Sequence, residues 1–208
     1  MRRLSDILYN FHWIVPGEAA RSAQAYAGFL GPFVKAHGIA TVINLRGANP
    51  KLAWWHYERR VCESAGIAHR DVKLNSRRLP TQAMLLDLLD AFDAAARPFL
   101  LKCSGGQDRT SFAAALYLIH TRGWSARAEA EAQFAGWPYL HWPKRHQRWL
   151  KPFVEFAQEG ARGRSLRDLI ACDYSPESFK AWLEARGLGD SFRGLYKIAS
   201  ADAARPKA

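Results

Sequence analysis

Short strand-like runs alternate with longer segments of helical spacing along most of the chain. Three runs predict strands: "IATVINLRG" (39–47), "IAHRDVKL" (67–74) and "RPFLLK" (97–102). Three segments with apolar residues three and four positions apart predict the helices that follow these strands: 52–66, 80–96 and 109–121. This order predicts an α/β fold whose central, mainly parallel sheet is flanked by helices on both faces.

The N-terminal part of the pattern is less regular. Residues 17–38 predict a short entry segment followed by a helix that ends near Gly38, because glycine commonly closes a helix.

Beyond the core pattern, the chain predicts more helices: 125–135, 143–158 and a C-terminal pair. The segment "GARGRS" (160–165) predicts a boundary between a core domain of residues 1–160 and a helical C-terminal extension of residues 161–208. The last residues of that extension, "SADAARPKA", predict a frayed tail.

The composition predicts a globular protein with an anionic partner. Of 208 residues 49% are hydrophobic, and the formal net charge is +11. Such a surface attracts phosphorylated molecules, anionic membranes or nucleic acid, while solubility alone is the other explanation of the charge. Three cysteines cannot all pair, no apolar run reaches the length of a membrane span, and polar residues interrupt the start of the chain. We therefore expect a cytoplasmic protein.

The segment "KCSGGQDRT" (102–110) joins the last predicted strand of the core to its helix. A glycine-rich turn from strand to helix exposes N–H groups that bind an anion, and Gly105 and Gly106 permit the backbone conformations that this requires. Arg109 adds a planar guanidinium that can hold two phosphate oxygens. We therefore expect a phosphate-binding loop of six residues: Ser104, Gly105, Gly106, Gln107, Asp108 and Arg109.

Cys103 lies at the base of this loop, with five residues between it and Arg109. Free cysteine has a pKa near ~8.5, whereas cysteines beside helix N-termini and cations have pKa values of roughly 3.5–7.5. We therefore expect Cys103 to be a nucleophilic thiolate and the hydroxyl of Thr110 to hydrogen-bond to its sulfur. The alternative is a buried cysteine in an ordinary strand–helix turn.

The motif "CSGGQDRT" resembles the signature loop of the cysteine-dependent protein tyrosine and dual-specificity phosphatases, with an ending similar to that of myotubularin-type lipid phosphatases. The segments "VPGEAARSAQ", "GIATVINLRG" and "HRDVKLNSRRLP" are similar to the first strands and loops of compact bacterial members. The resemblance runs from Phe11 to Gln158. It implies hydrolysis of phosphomonoesters through a phosphocysteine intermediate, without metal or cofactor. Two positions depart from the pattern: Lys102 replaces a usual histidine, and Ser111 a frequent glycine.

Two aspartates are candidates for the general acid that protonates the leaving oxygen. Asp71 lies 32 residues before Cys103, a spacing often seen in the family, but the pattern places it inside a strand. Asp108 lies in the loop itself, where the resemblance to members with an Asp-Arg-Thr ending implies the acid. We favour Asp108, with Asp71 and the absence of a protein acid left open.

Several other residues have open roles. Arginines that could reach the phosphate, support the loop or face solvent are Arg21, Arg46, Arg77 and Arg78. The tryptophan-rich segment 137–149 could pack between helices, contact a membrane or stack on nucleic acid. His141 and His146 lack partners at zinc-ligand spacing, and Cys62 and Cys172 are expected in the core, with Cys62 as a redox partner of Cys103 the lesser alternative.

The sequence thus predicts a phosphatase of phosphoprotein, lipid phosphate or small phosphorylated substrates, with peripheral contact to an anionic membrane as an option. A catalytically weak phosphate-binding module is the alternative. Sulfur transfer and an RNA 5′-phosphatase activity are less favoured, and no nucleic-acid partner is expected.

Overall fold

Five strands form one mixed sheet in the computed structural model, which describes residues 3–26, 28–189 and 197–199. The strands of the structure are β1 (His12–Val15), β2 (Ala19–Ser22), β3 (Thr41–Asn44), β4 (Ala68–Asp71), β5 (Arg78–Leu79), β6 (Phe99–Lys102) and β7 (Lys197–Ile198). The large sheet has the order β1-β2-β6-β3-β4, with β1 antiparallel to β2 and the other neighbours parallel. The short β5 and β7 pair with each other. The predicted mainly parallel sheet is confirmed.

Helices cover both faces of this sheet. They are α1 (Leu4–Leu8), α2 (Leu30–Ala36), α3 (Ala53–Ser64), α4 (Gln82–Ala94), α5 (Asp108–Arg122), α6 (Arg127–Ala132), α7 (Pro152–Ala161), α8 (Leu166–Cys172) and α9 (Pro176–Ala185), with 3₁₀ turns at Trp124–Ala126 and Arg145–Gln147. None of the described helices is long and apolar enough to cross a bilayer.

The central strands contribute to two separate cores because successive side chains point to opposite faces. Val42 and Leu100 pack with apolar residues of α2 and α3, such as Phe33. Ile43 and Leu101 belong to the larger core, which α4, α5, α7, α8 and α9 complete. Because β6 is the central strand, the loop that follows it begins at the middle of the sheet, between the helical layers on its two faces.

Three boundaries differ from the predictions. Residues 12–22 form an antiparallel hairpin, whose second strand is buried along its whole length and so lacks the alternation that would reveal it. The helix predicted over 143–158 begins only at Pro152, which lies at the first helical position. The strand predicted over 67–74 ends at Asp71.

The C-terminal helices pack on the core. Leu169, Phe179 and Leu183 are buried in the same apolar cluster as the residues of α4. The division of the chain near residue 160 stays a prediction, and the tail expected to be frayed, residues 200–208, lies outside the described residues.

Candidate active site

The candidate nucleophile lies at the carboxyl end of the central strand. Cys103 directly follows β6, is 3% exposed, and its N–H donates to Ser22 O at 3.4 Å. Five residues later α5 begins at Asp108, so the loop opens at the edge where sites of parallel sheets form. The predicted strand–loop–helix setting of the motif is observed.

The carbonyl groups of the loop are held toward the protein. Ser104 O accepts from Gln24 N at 3.2 Å, and Gly106 O accepts from Asn10 Nδ2 at 2.9 Å. Gln107 O accepts from Thr110 Oγ1 at 3.0 Å and from Ser111 N at 2.8 Å. In a trans peptide the N–H points opposite to the carbonyl that precedes it. The N–H groups that follow these carbonyls therefore point away from the protein scaffold, which is the arrangement of an anion-binding nest.

Arg21 is the main support of the loop. Its side chain is fully buried in β2 and donates to Gly106 O at 3.0 Å, to Ser111 Oγ at 2.8 Å and to Gln133 Oε1 at 3.1 Å. Burial lowers the pKa of Arg21 to about 10, and attraction to Tyr139 and Cys103 offsets part of that effect. Arg21 therefore supports the loop from within the protein. Its full burial excludes the alternative that this side chain faces solvent.

Gly106 is the glycine that the loop conformation requires. Its φ is +63°, and a Cβ there would lie 2.5 Å from Ala23 N and 2.7 Å from Ser22 C. Gly105 has no such constraint, since its Cβ would come no nearer than 3.6 Å, to Gln107 Cδ. Of the two glycines predicted to shape the loop, Gly106 is the one with a left-handed φ and close backbone contact.

Replacing Gly106 with alanine is expected to lower the free energy of unfolding by roughly 2–3 kcal/mol, because both the backbone and the β2 edge must move. Urea denaturation followed by circular dichroism measures the change. Gly105→Ala is the matched control and is expected to change stability by less than about 0.5 kcal/mol. Equal destabilisation by the two substitutions would contradict this account of the loop.

Arg109 reaches back across the mouth of the loop. Its guanidinium donates to Ser104 Oγ at 3.1 Å, and the side chain is half-buried beside Phe112 and Pro80. Ser104 and Gly105 are exposed at this mouth. The guanidinium and the outward-facing N–H groups thus belong to the loop that follows Cys103, a combination that suits a phosphate group.

Among the described residues, the Thr110 hydroxyl makes its hydrogen bonds to groups other than the Cys103 sulfur. This hydroxyl is buried, donates to Gln107 O and accepts from Arg21 at 3.3 Å. In this structure Thr110 helps to fix the end of the loop.

Asp108 lies at the start of α5 against the segment that precedes α7. Gln147 Nε2 donates to Asp108 Oδ2 at 2.7 Å, and His141 Nδ1 lies 3.4 Å from Asp108 Oδ1. Burial raises the pKa of Asp108 above its ordinary value, and attraction to Arg109 with the Gln147 hydrogen bond offsets only part of the rise. Burial and the nearby Arg21 lower the pKa of His141 to about 4, so this imidazole is neutral at pH 7.

Asp71, the rival for the acid role, is fixed in the scaffold. Asn44 Nδ2 donates to Asp71 Oδ1 at 2.6 Å, and Trp55 Nε1 donates to Asp71 Oδ2 at 2.9 Å. Both carboxylate oxygens accept hydrogen bonds, so Asp71 anchors β4 to β3 and α3.

The side chain of Lys102 belongs to a buried ionic cluster at the carboxyl end of β6. Its Nζ lies 2.6 Å from Glu58 Oε2 and donates to Gln24 Oε1 at 2.8 Å. Burial lowers the pKa of Lys102 to about 8 despite the attraction to Glu58. Burial also acts to raise the pKa of Glu58, but hydrogen bonds from His69 and Lys102 hold it below its ordinary value. Lys102, one of the two departures from the resembled motif, thus has a paired carboxylate on α3.

The remaining arginines lie at the periphery. Arg46 stacks on the Trp54 ring at 3.5 Å and donates to Gln24 Oε1 at 3.3 Å. Arg77 and Arg78 are exposed, and Arg78 is 3.5 Å from Ile198 O.

The other two cysteines differ from each other. Cys62 is buried as predicted, and its burial raises the pKa to about 12, which leaves it unreactive as a thiol. The prediction of a core position for Cys172 is wrong, since it is exposed at the last turn of α8.

The sequence did not predict a role for Gln147 or Gln133 at the site, and it raised His141 only in connection with zinc binding. The signal available for Gln147 was weak, because 39 residues separate it from Asp108 and no motif connects them.

The chain has the compact fold of solved cysteine-based protein tyrosine and dual-specificity phosphatases. Among solved structures, TpbA from P. aeruginosa is 23% identical with a TM-score of 0.57, over 79% of this chain and 92% of that chain. TpbA in complex with pTyr gives 22% identity and a TM-score of 0.56, over 82% and 95% of the two chains.

PTPMT1 is 16% identical with a TM-score of 0.54, over 73% of this chain and 98% of that chain. No protein-family model matches the sequence, and no curated protein matches it significantly. The likeness is therefore one of fold.

Proposed function

We propose that the protein is a cysteine-dependent phosphomonoester hydrolase. The observation that supports this most directly is the loop itself. Cys103 lies at its base, Arg109 closes its mouth through Ser104, and its carbonyls are turned inward onto Asn10, Gln24 and Arg21. This combination creates a site for a dianion above a thiol.

The first chemical step is attack of the Cys103 thiolate on phosphorus. A sulfur–phosphorus bond forms while the bond between phosphorus and the leaving oxygen breaks, and that oxygen takes a proton from Asp108. Arg109 and the loop N–H groups stabilise the charge on the three non-bridging oxygens. In the second step, water attacks phosphorus, Asp108 takes its proton, and the thiolate leaves with release of orthophosphate.

Asp108 suits the acid role because its surroundings favour a neutral carboxyl group. Its pKa is raised by burial, and the neutral imidazole of His141 has a buried Nδ1 without a hydrogen bond in the described structure. A proton on Asp108 Oδ1 would face that nitrogen, while Gln147 holds the other oxygen and is itself fixed by Ser76 at 3.2 Å. We therefore assign Asp108 as the acid, with Gln147 and His141 as its positioning residues.

The proposed substrates are phosphate monoesters carried by a protein or a lipid. The complex of TpbA with pTyr supports the former for that protein, and the Asp-Arg-Thr ending with the +11 charge supports the latter. A panel of phosphopeptides, phosphoinositides and other lipid phosphates would rank the two classes by kcat/KM.

The proposal is tested by phosphate release and by thiol alkylation together. We expect release of orthophosphate from an aryl phosphate, and rapid inactivation by iodoacetate at one thiol, Cys103, below pH 7. Vanadate and orthophosphate are expected to slow that inactivation at least about tenfold, because an occupied loop shields the sulfur.

Two outcomes would contradict the enzyme proposal. Protection by vanadate without any turnover would identify a phosphate-binding module that does not hydrolyse. Alkylation of Cys103 at the rate of free cysteine, unchanged by vanadate, would remove the anion site altogether.

A further inference from the structure

Helix α1 exposes its apolar side chains and buries its acidic one, which is the reverse of the usual arrangement. Leu4, Ile7 and Leu8 share one face of the helix and are 72%, 61% and 68% exposed. The acidic residue of this helix, Asp6, is instead buried, with its carboxylate 2.9 Å from His37 Nε2. Helices at a protein–water boundary normally bury the apolar face and expose the polar one. The outer face of α1 therefore suits a less polar medium than water.

A second exposed apolar segment follows α6. Trp137 and Trp142 are 79% and 75% exposed, and Leu140 between them is exposed with a left-handed φ of 56°. The segment holds Trp142 in this position, because the edge of its ring packs against Gly136 so closely that a Cβ there would lie 2.6 Å from it. In contrast, Trp149 is 1% exposed and belongs to the core, which confirms helix packing for that part of the tryptophan-rich segment.

Asn10 joins the two apolar segments to each other and to the active-site loop. Its N–H donates to Ile7 O in α1 at 3.2 Å, and its side-chain amide donates to Tyr139 O at 3.1 Å and to Gly106 O at 2.9 Å. One open cleft is lined both by Arg3 and by Tyr139. Asn10 therefore holds the two apolar segments next to each other and ties both to the loop that follows Cys103.

Cations accompany these apolar side chains. Lys144 and Arg148 follow the tryptophan segment and are exposed, and Arg3 precedes α1. The chain as a whole carries a formal charge of +11. Exposed tryptophan and leucine beside lysine and arginine match the boundary of an anionic bilayer, where indole rings lie at the headgroup level and cations meet acidic lipids.

We propose that α1 and residues 136–142, here called the docking face, seat the protein on the surface of an anionic bilayer. A bilayer explains both the apolar side chains and the cations beside them, whereas polypeptide partners have no general need for both. The proposal concerns binding alone and does not depend on the proposed phosphatase activity.

The test is co-sedimentation of the full chain with vesicles of phosphatidylcholine containing about 30% phosphatidylglycerol, compared with phosphatidylcholine alone. We expect binding to the anionic vesicles, with a blue shift of tryptophan fluorescence. The substitutions Ile7→Ser with Leu8→Ser, or Trp137→Ser with Trp142→Ser, are expected to lower the partition coefficient at least about tenfold. Leu188→Ser, which also removes an exposed apolar side chain, is the matched control and should change it less than about twofold.

Further measurements make the result decisive. All variants should keep the circular dichroism spectrum of the parent protein, and Cys103→Ser should bind vesicles as the parent does, which separates this inference from the enzyme proposal. Three outcomes would overturn the docking face: no binding to anionic vesicles, binding that the four apolar substitutions leave unchanged, or self-association that they abolish, which would assign this face to a second copy of the chain.

Discussion

Replacing Cys103 with serine is expected to reduce kcat/KM for an aryl phosphate by at least about 10⁴-fold, since removal of a catalytic nucleophile commonly costs that much or more. A serine hydroxyl at this position remains protonated at pH 7 and cannot form the sulfur–phosphorus bond. The loop carbonyls are held by Arg21, Asn10 and Gln24, none of which contacts the sulfur through a hydrogen bond that the substitution would remove. Binding of vanadate should therefore survive while turnover disappears.

The measurement pairs orthophosphate release with calorimetric titration of vanadate. Cys172→Ser is the matched control, since Cys172 is exposed in α8 and should leave both quantities within about twofold of the parent protein. Retention of more than a hundredth of the parent activity by Cys103→Ser would exclude the phosphocysteine route and leave water as the direct nucleophile. Loss of vanadate binding would instead show that the substitution had damaged the loop.

The strand–loop–helix setting of Cys103 was predictable because it is local in sequence. Cys103, Gly106 and Arg109 lie within one strand–loop–helix turn, and the geometry of that turn fixes their relative positions whatever the rest of the fold does. The parallel sheet was predictable for the same reason, because its strands and helices alternate along the sequence.

The support of the loop depends on contacts that sequence spacing does not reveal. Arg21 reaches Gly106 across 85 residues and Asn10 reaches it across 96, and both come from the N-terminal hairpin region that the hydrophobic pattern did not predict. Strand β2 is buried on both faces and rich in alanine, so it shows neither alternation nor the β-branched residues typical of strands.

The two candidate acids show how a spacing argument and a structural one can disagree. Asp71 has the spacing from Cys103 that the resemblance favours. In the structure it lies opposite Asn44 of β3, whose side-chain amide donates to its carboxylate. Asp108 lies in the loop itself. Its partners Gln147 and His141 are distant in the sequence and reach Asp108 only because their segment packs against the start of α5.

Replacing Asp108 with asparagine is expected to divide substrates by their leaving groups. An alkyl phosphate, such as a glycerol or serine phosphate, needs a proton on its departing oxygen, so its kcat/KM should fall about 10²–10³-fold. An activated nitrophenyl phosphate leaves as a stable anion, and its kcat/KM should fall less than about tenfold. The asparagine carbonyl can still accept from Gln147 Nε2, so the local packing should be kept.

The pH profile supplies a second readout of the same role. The acid works only when protonated, and burial raises the pKa of Asp108, so the protonated fraction persists above the range of an ordinary aspartate and is lost as pH rises through that pKa. The parent protein should therefore show a descending alkaline limb on alkyl phosphates that Asp108→Asn removes. His141→Phe should shift that limb to lower pH, because it takes away the nitrogen that faces the Asp108 proton.

Asp71→Asn is the comparison that decides between the two aspartates. Because Asp71 accepts from Asn44 and Trp55, this substitution should lower stability and reduce turnover of alkyl and aryl phosphates by the same factor. If Asp71→Asn instead produced the leaving-group dependence and abolished the alkaline limb, the acid would be Asp71, and the interactions of Asp108 with Gln147 and His141 would be purely structural. Equal losses on both substrates for both variants would remove the protein acid from the mechanism and leave the proton to water.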